Sequence, residues 1–256
     1  MTVECGNGWT MHHGDCLVVM QSIGEVDHVV TDPPYTDRTS RNARSAPDGV
    51  GGQKLSEARA FITFDGVDSL EAAIASATLR LASRWVIIFC ALEQIGAYEA
   101  ACGDAWIRAT AWLRTNSAPQ FTGDRPGQAH EGICIAHRPG RKRWNRGGHS
   151  WAPVGETING IRNAERGQLD HPTPKPLWIM LDAVAAFTDP GETILDPFAG
   201  SGTTGVACLR LGRRFIGIER DPKYFRLACD RLRAEEQGST LQAQRAGQMP
   251  LLGGVK

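Results

Sequence analysis

A short β-branched run that ends abruptly in two prolines constrains the fold of this chain most. Residues 27–31 read Asp-His-Val-Val-Thr, and Asp32, Pro33, Pro34 and Tyr35 follow directly. The run predicts a buried strand, and the prolines predict that this strand ends at a rigid loop. This arrangement holds a carboxylate, a rigid turn and an aromatic ring close together. It suits the binding of a flat base that carries an amino group. An ordinary strand exit with a packing tyrosine explains the same residues, so the tetrapeptide alone leaves both interpretations open.

The composition is that of an ordinary globular protein. The 256 residues suit one large domain, and the hydrophobic and charged fractions of 41% and 22% are typical values. Because 28 basic residues balance 28 acidic ones, net charge does not indicate nucleic acid, and any basic surface must be local. We find no signal peptide and no apolar stretch near the ~18 residues that a membrane span requires. We therefore expect a cytoplasmic protein without a membrane partner.

The cysteines favour neither disulfides nor a metal site. Seven are scattered along the chain, none in a Cys-x-x-Cys spacing, and several lie inside apolar runs. We expect buried free thiols in a reducing compartment, and no bound metal.

Predicted strands alternate with predicted helices along the chain. The strands fall at residues 9–14, 27–31, 84–90, 105–113, 131–137, 193–196 and 214–219. The helices fall at residues 16–20, 68–81, 92–102, 176–187, 203–211 and 222–236. This alternation predicts an α/β fold in which a mostly parallel sheet is covered by helices on both faces.

Irregular stretches interrupt this pattern at several places. Residues 36–56 are rich in Arg, Ser, Asn and Gly, and we expect a mobile loop that acts as a lid. We expect one domain over residues 1–236, with loops that recognise a target within 114–170, and a frayed tail over 237–256.

A glycine-rich loop in the last third is the second strong feature. Gly200, Gly202 and Gly205 form a Gly-x-Gly-x-x-Gly pattern between a predicted strand and a predicted helix, the context that makes such a pattern informative. Glycine lets the backbone approach a ligand, and a helix N-terminus offers amides. Glu219 lies about 20 residues further on, where a carboxylate accepts hydrogen bonds from ribose hydroxyls. A nucleoside cofactor is therefore predicted.

The acidic residue before this loop bears on the choice of cofactor. A dinucleotide would place its pyrophosphate at the helix N-terminus, where Asp196 would face it. A cationic sulfonium with an ammonium group suits an acidic loop better.

Together and in this order, the motifs resemble those of the amino-methylating DNA methyltransferases in their permuted β-type arrangement, as in phage and restriction-modification enzymes. Residues 32–35 match the catalytic tetrapeptide of that family, and residues 196–204 match its S-adenosylmethionine loop. His171 to Pro176 resembles the segment before that loop, and Gly14-Asp15 the segment before the catalytic strand. The similarity covers residues 9–35 and 171–231.

The resemblance implies a seven-stranded, doubly wound, Rossmann-like sheet with loop insertions for DNA recognition. It also implies S-adenosylmethionine as the cofactor and double-stranded DNA as the partner, and it leaves a homodimer open. The implied cofactor-binding residues are Asp15, Cys16, Asp32, Lys175, Asp196, Phe198, Gly200, Ser201, Gly202, Thr203, Thr204 and Glu219.

Individual roles follow from the same resemblance. The residues 200–204 would bind the methionine end of the cofactor, Glu219 the ribose, and Asp15 with Cys16 the adenine edge. Lys175 would meet the cofactor carboxylate. Asp15 also suits a helix N-cap, and Lys175 also suits an exposed loop, so these alternatives stay open.

The four residues Asp32, Pro33, Pro34 and Tyr35 are the implied catalytic set. Asp32 and the carbonyl of Pro33 would each accept one amino N–H, Tyr35 would stack on the base, and the base would be flipped out of the duplex. In the family an aspartate at the first position mostly accompanies adenine, and a serine cytosine. We expect adenine, with the cytosine amino group as the alternative. A nicotinamide-dependent oxidoreductase would leave the tetrapeptide unexplained.

Basic residues in the two irregular stretches are the predicted DNA contacts, with solvated loops as the alternative. They are Arg38, Arg41, Arg44, Arg141, Lys142, Arg143, Trp144 and Arg146. Because little of the chain remains for a separate recognition domain, we expect a short target sequence.

Overall fold

One mixed sheet organises the part of the chain that our computed structural model describes, which is residues 2–35, 70–117, 124, 126–156 and 174–245. Its strands are β1 (Thr2–Gly6), β2 (Trp9–His13), β3 (His28–Thr31), β4 (Trp85–Cys90), β5 (Trp106–Arg114), β6 (His130–His137), β7 (Val154–Gly155), β8 (Thr193–Asp196) and β9 (Arg214–Glu219). They lie in the order β1-β2-β9-β8-β3-β4-β6-β5-β7.

Helices cover both faces of this sheet. They are α1 (Cys16–Val19), α2 (Leu70–Leu81), α3 (Ile95–Cys102), α4 (Leu177–Phe187), α5 (Thr203–Arg210), α6 (Pro222–Glu236) and α7 (Leu241–Arg245), with short 3-10 turns at Leu92–Gln94 and Gly103–Ala105. One apolar core lies under α4, α5 and α6, and a second lies under α1, α2 and α3. The predicted doubly wound α/β architecture is therefore confirmed. No helix in the described ranges is both long and apolar enough to span a membrane.

The direction of the strands decides where each loop emerges. Strands β2, β9, β8, β3 and β4 are parallel neighbours, so they all end at one edge of the sheet, here called the carboxyl edge. The opposite edge, where they begin, is called the amino edge. Strand β6 runs antiparallel to β4, with His137 opposite Trp85, and therefore ends at the amino edge.

The sheet has two more strands than the seven expected. Strand β1 forms a hairpin with β2, and it was missed although Val3 and Cys5 alternate with polar residues and Asn7-Gly8 suits a two-residue hairpin turn. Strand β7 has only two residues and exists through its pairing with the end of β5. The tail also differs, because residues 241–245 form a helix where fraying was expected from 237 onward. The predicted lid at 36–56 and His171 lie outside the described residues.

Candidate active site

The tetrapeptide of residues 32–35 and the glycine loop follow neighbouring parallel strands. Strand β3 ends just before Asp32, and β8 ends at Asp196 beside it. The chain leaves β3 toward β4 on one side and leaves β8 toward β9 on the other. Such a switch point opens a crevice at the carboxyl edge of an α/β sheet, where ligands bind. The hydroxyl of Thr31 donates to Asp196 Oδ1 at 2.7 Å and ties the two strand ends together.

Asp196 is turned inward rather than toward the crevice. Its carboxylate is buried and also accepts from the Thr204 hydroxyl at 2.7 Å and from the Phe198 amide at 3.0 Å. Burial raises the pKa of Asp196 to about 6, partly offset by these hydrogen bonds. The expectation that Asp196 faces the ligand therefore needs correction. Because this carboxylate accepts hydrogen bonds that shape the loop, its charge is no argument against a dinucleotide with its pyrophosphate at the helix N-terminus.

The glycine loop is pressed closely against α6. Gly200 and Gly202 have φ values of 51° and 79°, a region that favours glycine. A Cβ on Gly202 would lie 3.0 Å from the Cβ of Ala228, and one on Gly205 would lie 2.6 Å from the Phe215 ring. The Gly-x-Gly-x-x-Gly pattern is therefore explained by close packing of the loop as well as by room for a ligand.

Arg231 supports this loop from below, and the sequence reasoning missed it. It is buried on α6, and its Nη1 donates to the Ser201 carbonyl at 2.7 Å, to the Ser201 hydroxyl at 3.0 Å and to the Thr203 hydroxyl at 3.1 Å. The signal was an arginine on the face of the helix that also carries Ala228 and Leu232, both fully buried.

Glu219 lies at the end of β9, beside the loop, as predicted. Its Oε2 accepts from the Gly200 amide at 2.8 Å and its Oε1 from the Asp221 amide at 2.7 Å. Burial raises the pKa of this carboxyl group. Each oxygen keeps a second lone pair, which a ribose hydroxyl could use.

The Gly14-Asp15 segment meets the same place from β2. The Gly14 amide donates to the Glu219 carbonyl at 3.1 Å. Asp15 is the N-cap of α1, because its Oδ1 accepts from the amides of Leu17 at 3.0 Å and Val18 at 3.3 Å. The capping alternative is therefore confirmed, and the buried Cys16 follows as the first residue of the helix.

Lys175 lies in the catalytic crevice, with partners other than a cofactor carboxylate. Its Nζ is 2.9 Å from Asp32 Oδ1, 2.6 Å from Glu131 Oε2 and 2.7 Å from the Tyr35 hydroxyl, which itself donates to Glu131 Oε2 at 2.7 Å. The contact with Asp32 lacks the angles of a hydrogen bond, so the buried Oδ1 accepts none from the described residues. Lys175 therefore lies in an internal ion cluster, which contradicts the alternative of an exposed lysine. Its expected role as a cofactor ligand stays a prediction.

The charges in this cluster are mutually dependent. Burial raises the pKa of Asp32, which Lys175 opposes. Burial alone would lower the pKa of Lys175, but Asp32 and Glu131 raise it above its ordinary value. Burial would also raise the pKa of Glu131, but Lys175 holds it below its ordinary value. The cluster therefore keeps Lys175 charged and Glu131 ionised, while Asp32 is the carboxyl group closest to taking up a proton.

Glu131 is the second functional residue that the sequence reasoning missed. It lies on β6, where Ile133 and Ile135 point to the same face and into the core. Its Oε1 also accepts from Arg114 Nη1 at 3.1 Å. An acidic residue in the apolar alternation of a strand was the available signal.

The predicted DNA-contact segment lies at the amino edge, away from Asp32. The indole Nε1 of Trp85, at the start of β4, donates to the Arg143 carbonyl at 2.7 Å. The Trp144 ring packs on Phe187 at the end of α4, and Arg146 pairs with Asp182 on that helix. The physical reason is the antiparallel course of β6, which delivers residues 138–146, including Arg141 and Lys142, to the edge opposite Asp32. Their contact with DNA stays a prediction. Arg38, Arg41 and Arg44 lie outside the described residues.

Within the described ranges, no three His, Cys, Asp or Glu residues lie close enough to hold a metal ion. The acidic side chains at the carboxyl edge, Asp15, Asp32 and Glu219, instead fit a cationic nucleoside ligand. S-adenosylmethionine has this character, so the residues present fit that cofactor.

The sequence comparisons agree with this chemistry. The family model described as DNA methylase, for N6 and N4 methyltransferases, matches residues 26–230. Type II methyltransferase M.HinfI from Haemophilus influenzae is 30% identical in an alignment over 245 residues that covers 88% of this chain and 68% of that protein. Type II methyltransferase M2.DpnII from Streptococcus pneumoniae is 35% identical in an alignment over 137 residues that covers 49% of this chain and 50% of that protein.

Solved structures share the fold. A crystal structure of an M1.HpyAVI–SAM complex has a TM-score of 0.65 at 24% identity and covers 88% of this chain and 100% of that one. The cytosine-N4-specific PvuII DNA methyltransferase has a TM-score of 0.62 at 14% identity, with coverage of 87% and 85%. Because the family model spans residues 32–35 and the glycine loop alike, this chain belongs to the DNA methylases that transfer a methyl group to the amino group of adenine or cytosine.

Proposed function

We propose that this chain transfers the methyl group of S-adenosylmethionine to the exocyclic amino group of a flipped adenine at a short target site in double-stranded DNA. The observation that carries the proposal is the state of Asp32. It follows β3 at the switch-point crevice, and its buried Oδ1 accepts no hydrogen bond from the described residues. An open acceptor in a buried site is what an incoming amino N–H group requires.

The cofactor would be held by residues from both halves of the sheet. S-adenosylmethionine, when bound, supplies an electrophilic methyl group on a cationic sulfonium. Glu219 would accept hydrogen bonds from the ribose, and the loop from Gly200 to Thr204 would hold the methionine end. Asp15, Cys16 and Phe198 would lie along the adenine. Asp196 contributes through the loop that it shapes.

The amino group of the base would be gripped by the tetrapeptide. The lone pair of the amino nitrogen is delocalised into the base ring, so this nitrogen is a poor nucleophile until the lone pair is reoriented. Asp32 Oδ1 and the Pro33 carbonyl would each accept one N–H, directing the nitrogen lone pair at the methyl group, while Pro34 keeps the turn rigid and Tyr35 packs on the ring. As the nitrogen forms its bond to the methyl carbon, the bond from that carbon to sulfur would break and the sulfonium would leave as a neutral thioether. The nitrogen would then lose one proton, for which Asp32 Oδ1 would be the acceptor. Flipping the base out of the duplex costs a few kcal/mol.

The choice of adenine rests on the aspartate at the first position of the tetrapeptide, which in this family mostly accompanies adenine. The test is to methylate DNA of mixed sequence, digest it to nucleosides and weigh the products. We expect N6-methyldeoxyadenosine. A product that contains only N4-methyldeoxycytidine would replace adenine by cytosine and leave the rest of the mechanism in place. Mapping the modified positions in DNA from cells that express the chain gives the target sequence.

A further inference from the structure

We propose that Lys175 and Glu131 form a positioning pair for Asp32, in which Glu131 holds the ammonium group so that Asp32 stays charged and keeps one oxygen open for the substrate. This role rests on amino-methylation as the reaction and is the same for adenine and cytosine.

Three separate parts of the chain supply the cluster. Asp32 follows β3, Glu131 lies on β6, and Lys175 precedes α4. Because β4 lies between β3 and β6, the two backbones that carry the carboxylates are about 10 Å apart. The Lys175 ammonium bridges this gap above β4, with Nζ 5.5 Å from the centre of the Phe89 ring. An ammonium between two carboxylates on separate strands fixes their relative positions.

The two carboxylates are paired unequally. Glu131 receives hydrogen bonds from Lys175, from the Tyr35 hydroxyl and, on its other oxygen, from Arg114. For Asp32, the atom Oδ1 has the 2.9 Å ion contact with Lys175, without hydrogen-bond angles. Glu131 thus accepts hydrogen bonds on both oxygens, whereas Asp32 Oδ1 is neutralised by charge yet retains an open lone pair. Without Glu131, the ammonium would be free to turn fully onto Asp32 and occupy the acceptor that the amino group needs.

Several other groups face Asp32 and enter its charge balance. They are Lys175 before α4, Glu131 on β6, Tyr35 in its own loop, Asp196 at the end of β8 and Cys90 at the end of β4. Tyr35 and Cys90 stay neutral, because burial, Cys134 and nearby carboxylates raise their pKa values. Asp196 already accepts three hydrogen bonds. Lys175 and Glu131 are therefore the two partners whose removal shifts the pKa of Asp32 in opposite directions.

The test is the pH profile of single-turnover methyl transfer at saturating DNA and S-adenosylmethionine. Lys175→Met removes the cation, so the acidic limb should move to higher pH by about one unit. Glu131→Gln removes an anion and releases Lys175 toward Asp32, so the limb should move to lower pH. Both variants should lose at least about tenfold in rate with KM for S-adenosylmethionine changed by less than about threefold, because the pair acts on Asp32. Lys175→Arg should recover part of the rate.

Controls and a second readout keep the outcomes distinct. The exposed Glu99 and Arg108 give the matched variants Glu99→Gln and Arg108→Met, which should leave the limb in place. Carbon-13 NMR titration of the Asp32 carboxyl group reports the same pKa shifts where turnover is too slow or Lys175→Met is unstable.

The proposed positioning pair is contradicted if the acidic limb and the NMR titration of Asp32 stay fixed in both variants. It is also contradicted if they move in the same direction in both variants. A fixed limb with a raised KM for S-adenosylmethionine in Lys175→Met, the result expected of a cofactor ligand, contradicts it as well. Absence of transfer in the wild-type chain refutes the proposed function, whereas the NMR shifts still test the pair.

Discussion

Arg231 Nη1 donates to the backbone carbonyl of Ser201 at 2.7 Å, so a buried cation on α6 sets the path of the loop that precedes α5. The same nitrogen reaches the hydroxyls of Ser201 and Thr203. The cofactor loop is thus held from below by α6 and at its strand end by Asp196, which accepts from Thr31 and Thr204. The position of the loop is therefore determined by contacts that involve no ligand.

Replacing this arginine should weaken cofactor binding. Arg231→Met leaves the Ser201 carbonyl and two hydroxyls without their donor, so we expect a loss of about 2–4 kcal/mol in the free energy of unfolding. The KM for S-adenosylmethionine should rise about tenfold or more as the loop relaxes. Urea unfolding and initial rates measure the two effects. Arg226→Met, at an exposed position of the same helix, is the control and should change neither. An unchanged KM in Arg231→Met would mean that the loop holds its shape alone.

Gly202→Ala should damage the same loop by a different route. The left-handed backbone costs an alanine about 1–2 kcal/mol, and the new Cβ would meet the Cβ of Ala228 at 3.0 Å. We expect lower stability and weaker cofactor binding, measured by thermal unfolding and calorimetry. Gly96→Ala is the matched control, because that glycine lies inside α3 with open space where a Cβ would stand, and it should stabilise by about 0.5–1 kcal/mol. Equal behaviour of the two variants would contradict the packing argument.

The buried carboxyl group of Asp196 should make stability depend on pH. Its pKa is raised to about 6 from an ordinary 3.8, so the native state favours the protonated form. The stabilising contribution is complete below about pH 4 and is lost as pH rises through about 6, a change on the order of 2–3 kcal/mol. In Asp196→Asn this group cannot ionise. The difference in free energy of unfolding between wild type and variant should therefore shift against the wild type between pH 4 and 7. A difference independent of pH would show that burial of Asp196 is compensated.

The strands near the site could be predicted closely, because each is a short apolar run. Strand β8 was predicted with its observed bounds, and the ends of β3, β4 and β9 were predicted at Thr31, Cys90 and Glu219. Local chemistry was enough there, since buried parallel strands leave a strong pattern. The two-residue strand β7 leaves none, because its pairing with β5 creates it, whereas β1 could have been predicted from its alternation and from Asn7-Gly8.

The ion cluster and the location of the basic segment could not be predicted for a different reason. The partnership of Glu131 with Lys175 joins residues 44 positions apart, and it depends on β6 lying next to β4. The direction of β6 also decides that residues 138–146 emerge at the amino edge. Neither the order nor the direction of strands is encoded in local periodicity, so charge and composition alone could not show at which edge of the sheet residues 138–146 lie.

Asp32→Ala should separate chemistry from binding. The alanine cannot accept the amino N–H or the departing proton, so we expect methyl transfer to fall below detection while DNA affinity stays within a few fold. A filter assay with labelled S-adenosylmethionine and an electrophoretic shift measure the two quantities. Turnover near the wild-type value would overturn the role of the tetrapeptide.

The basic residues at the amino edge should contribute little to DNA binding near the flipped base. Arg141 and Lys142 are exposed, but they follow β6 to the edge opposite Asp32, about one strand length away. Each phosphate contact adds about one to the slope of log affinity against log salt. We therefore expect the double variant Arg141→Ala, Lys142→Ala to keep the wild-type slope and methylation rate, measured by fluorescence anisotropy at several salt concentrations and by nucleoside analysis. A slope reduced by about two would show that DNA reaches around the domain to the amino edge, and that these two residues contact DNA as their charge alone predicts.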